Sequence, residues 1–102
     1  MNSSKGTRRY VRFMLTRDII IKNESGLGSK QAAMLIQKVS NFKSVIWIER
    51  EERKANAKSL LGLLSLGIAY GMKVVIRAEG EDEELAVQEI EAYFNSGLGE
   101  AI

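Results

Sequence analysis

Two stretches of this chain space their apolar residues at the pitch of a helix, and the runs between them alternate at the pitch of a strand. From Ser29, the residues Ala32, Leu35, Ile36 and Val39 stand at i, i+3, i+4 and i+7, which marks a helix with one buried face ending near Asn41. Ala86, Val87, Ile90, Tyr93 and Phe94 supply a second stripe, opened by the acids of Gly80-Glu81-Asp82-Glu83-Glu84 and closed by Gly97 and Gly99. Short β-branched runs predict strands at residues 18–22, 44–49 and 73–78, and residues 53–56 read as a further strand returning from the second. A charged hairpin without glycine joins the middle two, and a short helix over residues 58–66 stops at Gly67. The order is β-α-β-β-α-β-α. Three helices of this length cover only one face of a four-stranded antiparallel sheet, so the predicted class is an α+β open-faced β-sandwich.

Alternation along the strands assigns the faces. Ile19, Ile21, Ile46, Ile48, Val74 and Ile76 are predicted under the helices, which leaves Ile20, Val45, Trp47 and Val75 on the open side. An apolar open face calls for a cover, either a second subunit or the leading residues Tyr10, Val11 and Phe13. The short helix raises a similar question. Leu60, Leu61, Leu63, Leu64 and Leu66 cannot all face one sheet; Leu63 and Leu66 suit the core, and Leu60, Leu61 and Leu64 then crowd the surface as a partner contact.

Composition narrows the chemistry. A chain of 102 residues suits one domain that buries well over half of its unfolded surface. It contains neither cysteine nor histidine, which removes disulfides, thiolate and imidazole chemistry, and the usual soft metal ligands. No cofactor and no metal site are expected, and no nucleophile–base pair or carboxylate dyad marks an enzyme. No apolar run is long enough to span a membrane, so a cytoplasmic location is expected. Residues 1–17 carry Lys5, Arg8, Arg9, Arg12 and Arg17 with no acid, a charge of +5 against −3 for the remainder. Residues 1–13 therefore read as a basic N-terminal extension, disordered or laid over the sheet, ahead of a domain at 14–95 and a tail at 96–102. Arg8, Arg9 and Arg12 would serve a nucleic-acid or lipid binder, whose affinity would fall steeply with salt.

From Met14 to Phe94 the chain resembles the histidine-containing phosphocarrier (HPr) family of the bacterial sugar phosphotransferase system, and within it the catabolite-repression branch. The resemblance rests on Ser25-Gly26-Leu27, Ala32-Ala33, Asn56-Ala57-Lys58-Ser59 with Gly62, and Ala78-Glu79-Gly80-Glu81-Asp82-Glu83. The family's phosphate-carrying histidine follows Gly-Leu and caps the first helix; here that position is Gly28. The regulatory branch also lacks the histidine but keeps glutamine there, so glycine departs from both patterns. Without an imidazole, phosphoryl transfer at this point is impossible. Ser29 is no substitute, because a serine ester is too stable for rapid onward transfer. Lys30 stands where the family has an arginine that helps to hold phosphate and to dock partners, and a compact ammonium does not reproduce that fork.

The resemblance implies that Ser59 is the serine phosphorylated by HPr kinase/phosphorylase. A phosphate would add roughly −1.5 to −2 charges at a helix start, worth about 0.3–1 kcal/mol from the helix dipole. It further implies docking, through the exposed leucines, to a LacI-type catabolite control protein that itself touches DNA, with no direct nucleic-acid contact by this chain. A degenerate interaction module, dimeric through the Trp47 face and without a phosphorylation role, is the alternative.

Overall fold

The computed structural model describes residues 14–96. It contains β1 (Leu15–Ile20), α1 (Ser29–Val39), β2 (Val45–Arg50), β3 (Arg53–Asn56), α2 (Leu60–Ser65), β4 (Lys73–Glu79) and α3 (Glu83–Asn95). The strands form one antiparallel sheet in the order β1-β4-β2-β3. The predicted element order and fold class are therefore observed. Residues 1–13, Gly97, Gly99 and most of the expected tail lie outside the described residues.

The core sits between the sheet and the helices. Ile19, Ile21, Ile46, Ile48, Val74 and Ile76 are all buried, as the alternation predicts, and meet Ala32, Leu35, Val39, Leu63, Leu66 and the whole predicted stripe of α3. Burying each such aliphatic side chain contributes about 1.5–3 kcal/mol. The inward register is fixed by these residues, since a slip of one would expose every one of them.

Three boundaries differ from expectation. β1 begins at Leu15, three residues before the predicted start, and ends at Ile20. It is an edge strand paired only with β4, so Thr16, Arg17 and Asp18 face water and hide the strand from an apolar reading. Helix α2 has six residues rather than nine, because Ser59 takes an extended conformation (φ −107°, ψ 110°) and stands outside it as the cap. The hairpin between β2 and β3 pairs Arg50 with Arg53. Its first turn residue, Glu51, occupies the left-handed region at φ 56°, the place where glycine is usual.

The start of α3 is tied to the start of β2. Asp82 occupies the N-cap position, yet its carboxylate makes no cap bond to its own helix. It accepts hydrogen bonds from Lys43 N (2.8 Å), Ser44 N (2.9 Å) and Ser44 Oγ (2.5 Å). The buried Glu83 closes the turn by accepting from Gly80 N at 2.9 Å. The Ser44 hydroxyl, then the Lys43 amide, hold the Asp82 carboxyl below its ordinary value of 3.8. A carboxylate with a depressed folded pKa stabilises the fold above its unfolded value and loses that contribution as pH falls through the folded one. Urea titrations at a series of pH values should therefore show Asp82→Asn less stable than the parent above pH 3.8. Below it, the two proteins should converge. Parallel curves down to the acid limit would refute the role given to this carboxylate.

Candidate functional site

The loop before α1 and the loop after α2 are pressed together at a glycine. Gly26 has φ 66°, donates to Asn23 O (3.2 Å) and accepts from Asn23 Nδ2 (2.7 Å). A Cβ there would lie 2.5 Å from the Ile68 carbonyl oxygen and 2.9 Å from Ala69 Cα. The next residue, Leu27, donates to that same Ile68 carbonyl at 3.1 Å. This close approach delivers the chain to Gly28 at the head of α1, which packs beside α2.

Gly28 caps α1 with ordinary extended geometry (φ −82°, ψ −173°), and its carbonyl accepts from Ala32 N at 2.8 Å. It offers no side chain to the open amides of the first turn. A Cβ at this position would meet only Gln31 Oε1, at 3.1 Å, the mobile end of a flexible side chain. The glycine is therefore not imposed by backbone or by crowding. Ser29 and Lys30 are exposed in the first turn, and that turn contains no acid.

Ser59 is built into the other helix start. Asn56 forms the preceding turn, its Oδ1 accepting from Lys58 N (2.8 Å) and its carbonyl from Ser59 N (2.9 Å). The Ser59 Oγ then accepts from Gly62 N at 3.0 Å, a side-chain cap on the third residue of α2. Gly62 makes this fit possible, since a Cβ on it would stand 3.0 Å from Ser59 Oγ and 3.1 Å from Ala55 Cβ. The serine is half-buried. The ammonium of Lys58, adjacent in sequence, is engaged 2.6 Å from the Phe42 carbonyl. With α2 only six residues long, the dipole weighs less at Ser59 than a nine-residue helix would give.

The leucines divide as predicted. Leu63 and Leu66 are buried, whereas Leu60, Leu61 and Leu64 are 42%, 80% and 37% exposed beside Ser59. Sequence reasoning missed what holds the far end of this helix. Arg50 Nη1 donates to Leu66 O (3.0 Å) and Arg53 Nη1 to Ser65 O (3.2 Å), so the β2–β3 hairpin caps the last carbonyls of α2. The helix has no basic residue of its own in its last turn. Two arginines flanking a hairpin tip were the available signal, but only the fold shows what they reach.

Ile20, Val45, Trp47 and Val75 all lie on the open face, but they do not form one patch. Arg77 makes a bidentate pair with Glu49 (2.7 and 3.2 Å). The ladder sets Arg77 opposite Trp47 and Glu49 opposite Val75, so this pair crosses between the two apolar residues. It holds the Glu49 carboxyl below the usual range, through the Arg77 hydrogen bonds first. Lys54 lies over the Trp47 ring at 4.8 Å, and Lys73 pairs with Asp18 at 3.8 Å. Val45 and Trp47 are left at one end of the sheet, with Ile20 and Val75 at the other.

The described residues thus form a small open-faced sandwich in which the short, serine-capped α2 lies beside the longer α1. The sequence profile of the family described as PTS HPr component phosphorylation site matches residues 15–96. The chain belongs to the HPr family. It is 35% identical over 80 residues to the HPr-like protein Crh of Bacillus subtilis, covering 78% of this chain and 94% of Crh. It is 33% identical to the phosphocarrier protein HPr of Xylella fastidiosa, covering 85% of this chain and 98% of that one. Among solved structures, HPr-C-His from Thermoanaerobacter tengcongensis is similar at a TM-score of 0.81 and 41% identity, over 86% and 99% of the two chains. The crystal structure of Bacillus subtilis Crh, described as a domain-swapped dimer, matches at 0.67 and 34% identity, over 78% and 91%. The chain is thus an HPr-like protein that aligns along most of its length with Crh.

Proposed function

We propose that this chain is a non-catalytic, cytoplasmic HPr-like regulator switched by phosphorylation of Ser59. In this reading HPr kinase/phosphorylase adds the phosphate. The phosphorylated face of Lys30, Leu60, Leu61 and Leu64 then docks to a LacI-type catabolite control protein in carbon catabolite repression. The observation that carries the reading is the pairing of a surface serine in Asn56-Ala57-Lys58-Ser59 with a chain that has no histidine. A histidine phosphocarrier role is excluded by chemistry, because no imidazole exists to form the labile phosphoramidate. The Ser59 hydroxyl is already oriented by Gly62 N, and a phosphate on it adds charge outside the core, so the fold survives modification.

Incubation with the family's serine kinase and ATP, followed by mass spectrometry, tests this. One phosphate is expected, on Ser59, and none on Ser59→Ala. An unmodified parent beside a modified control HPr would overturn the proposal. A second reading, an interaction module without a phosphorylation role, draws on the edge position of β1 and on the dimeric description of Crh. It expects no phosphate uptake and a dimer in light scattering.

A further inference from the structure

The end of α2 gathers positive charge that its own sequence lacks. Arg53 Nη1 donates to Ser65 O (3.2 Å) and Arg50 Nη1 to Leu66 O (3.0 Å). Each guanidinium spends one nitrogen on that carbonyl, and its other N–H groups have no protein partner among the described residues. Two such forks reaching one short stretch of backbone leave spare donors around Ser65. The serine is exposed, and its hydroxyl donates back along the helix to Gly62 O at 2.7 Å. Rotation about its Cα–Cβ bond releases that local contact. Leu61, Leu64 and Gly67 beside it are exposed too, so the hydroxyl is open to an approaching enzyme.

We infer that Ser65 is a second phosphoacceptor, distinct from Ser59, whose phosphate is held by Arg53 and Arg50. The donor is ATP, brought by a protein serine kinase other than the one proposed for Ser59, which is expected to leave a single phosphate. The Ser65 oxygen forms a bond to the γ-phosphorus, the bridging bond to the β-phosphate breaks, and ADP leaves. The hydroxyl proton passes to a base of the kinase. Charge singles out this serine. A phosphate at the C-terminal end of a helix faces the negative end of the dipole and is ordinarily repelled. Here Arg53 is bonded to the carbonyl of the very residue that carries the new group, and Arg50 to the carbonyl of the next. Hydrogen bonds to an ionised phosphate are about twice as strong as those to a neutral carbonyl, so the spare donors turn to it. Glu51 and Glu52 stand on the same hairpin but are exposed, where water and salt screen their repulsion. Ser40 makes the contrast. It closes α1 with the same kind of bond, to Gln37 O at 3.1 Å, and is exposed, yet no arginine is bonded to its carbonyl among the described residues. The inference does not depend on the phosphorylation of Ser59.

Genetic encoding installs phosphoserine at position 65 of the full-length chain and, separately, at position 40, with fold checked by circular dichroism. Phosphorus NMR across pH then reads the second ionisation of each phosphate. At position 40 it is expected near the ordinary value of about 6, and at position 65 about one unit lower, since both guanidiniums favour the dianion. Arg53→Gln and Arg50→Gln in the chain phosphorylated at 65 should each return it part of the way. The guanidinium N–H resonances of Arg53 should move with phosphate at 65 and stay in place with phosphate at 40. Mass spectrometry of the chain isolated from its own cells, growing and starved, should find phosphate on Ser65 whether or not Ser59 carries one. Equal ionisation at the two positions overturns the inference. So does a chain that fails to fold with phosphate at 65, or the absence of phosphate on Ser65 in both growth states.

Discussion

Gly26→Ala is expected to lose about 3–5 kcal/mol of folding stability, a large share of the roughly 5–15 kcal/mol typical of a domain. Two costs add. The backbone at φ 66° lies in the left-handed region, which a side chain opposes by about 1–2 kcal/mol. The new methyl group would also be driven against Ile68 O and Ala69 Cα, backbone atoms that cannot rotate aside. A comparison separates the two. Gly67 has φ 62° but open space around it, so Gly67→Ala should lose only the conformational part, about 1–2 kcal/mol. Urea denaturation of the parent and both variants measures the difference. Equal losses would mean that the Gly26–Ile68 approach is looser than the geometry described above.

Gly28→His should turn a protein that accepts no phosphoryl group from a phosphoenolpyruvate-charged donor into one that does. The backbone is extended at Gly28, and the added side chain meets only the end of Gln31. The fold should change in stability by less than about 0.5 kcal/mol, since glycine is a cap of middling quality and little is lost with it. The imidazole would then stand at the head of α1 as a neutral nucleophile near pH 7. Lys30 leaves the restored site with a weaker grip on phosphate than an arginine would give, so Gly28→His/Lys30→Arg should label faster than the single variant. Radiolabel transfer followed by acid and base treatment identifies the product, because a phosphoramidate is lost in acid whereas a serine ester persists. Labelling of the parent, or a folded variant that stays unlabelled, would refute the argument that one side chain separates this protein from a phosphocarrier.

The inward faces of β1, β2 and β4 and the stripes of α1 and α3 were legible because burial imposes period two or 3.6 on the residues that carry it. The polar half of β1 was not, since an edge strand has no second apolar partner to betray it. Ser59 was legible as a helix cap but the length of α2 was not. Its leucine run continues past the last helical turn, and the residues that stop it from fraying belong to a hairpin. Asp82 was read only as one of the acids that suit the start of its own helix. It bonds Lys43 and Ser44 instead, a contact nearly forty residues away that no local pattern encodes. The open face was read correctly by side and wrongly by continuity, because alternation says which way a residue points and nothing about the ion pair that grows across a diagonal.

The guanidinium groups of Arg50 and Arg53 join the β2–β3 hairpin to a helix that displays three exposed leucines. Lineages that drift at this hairpin would therefore tilt the display without changing any residue on it. If the leucines dock a partner as proposed, substitutions at positions 50 and 53 should alter that docking although neither side chain belongs to the leucine surface.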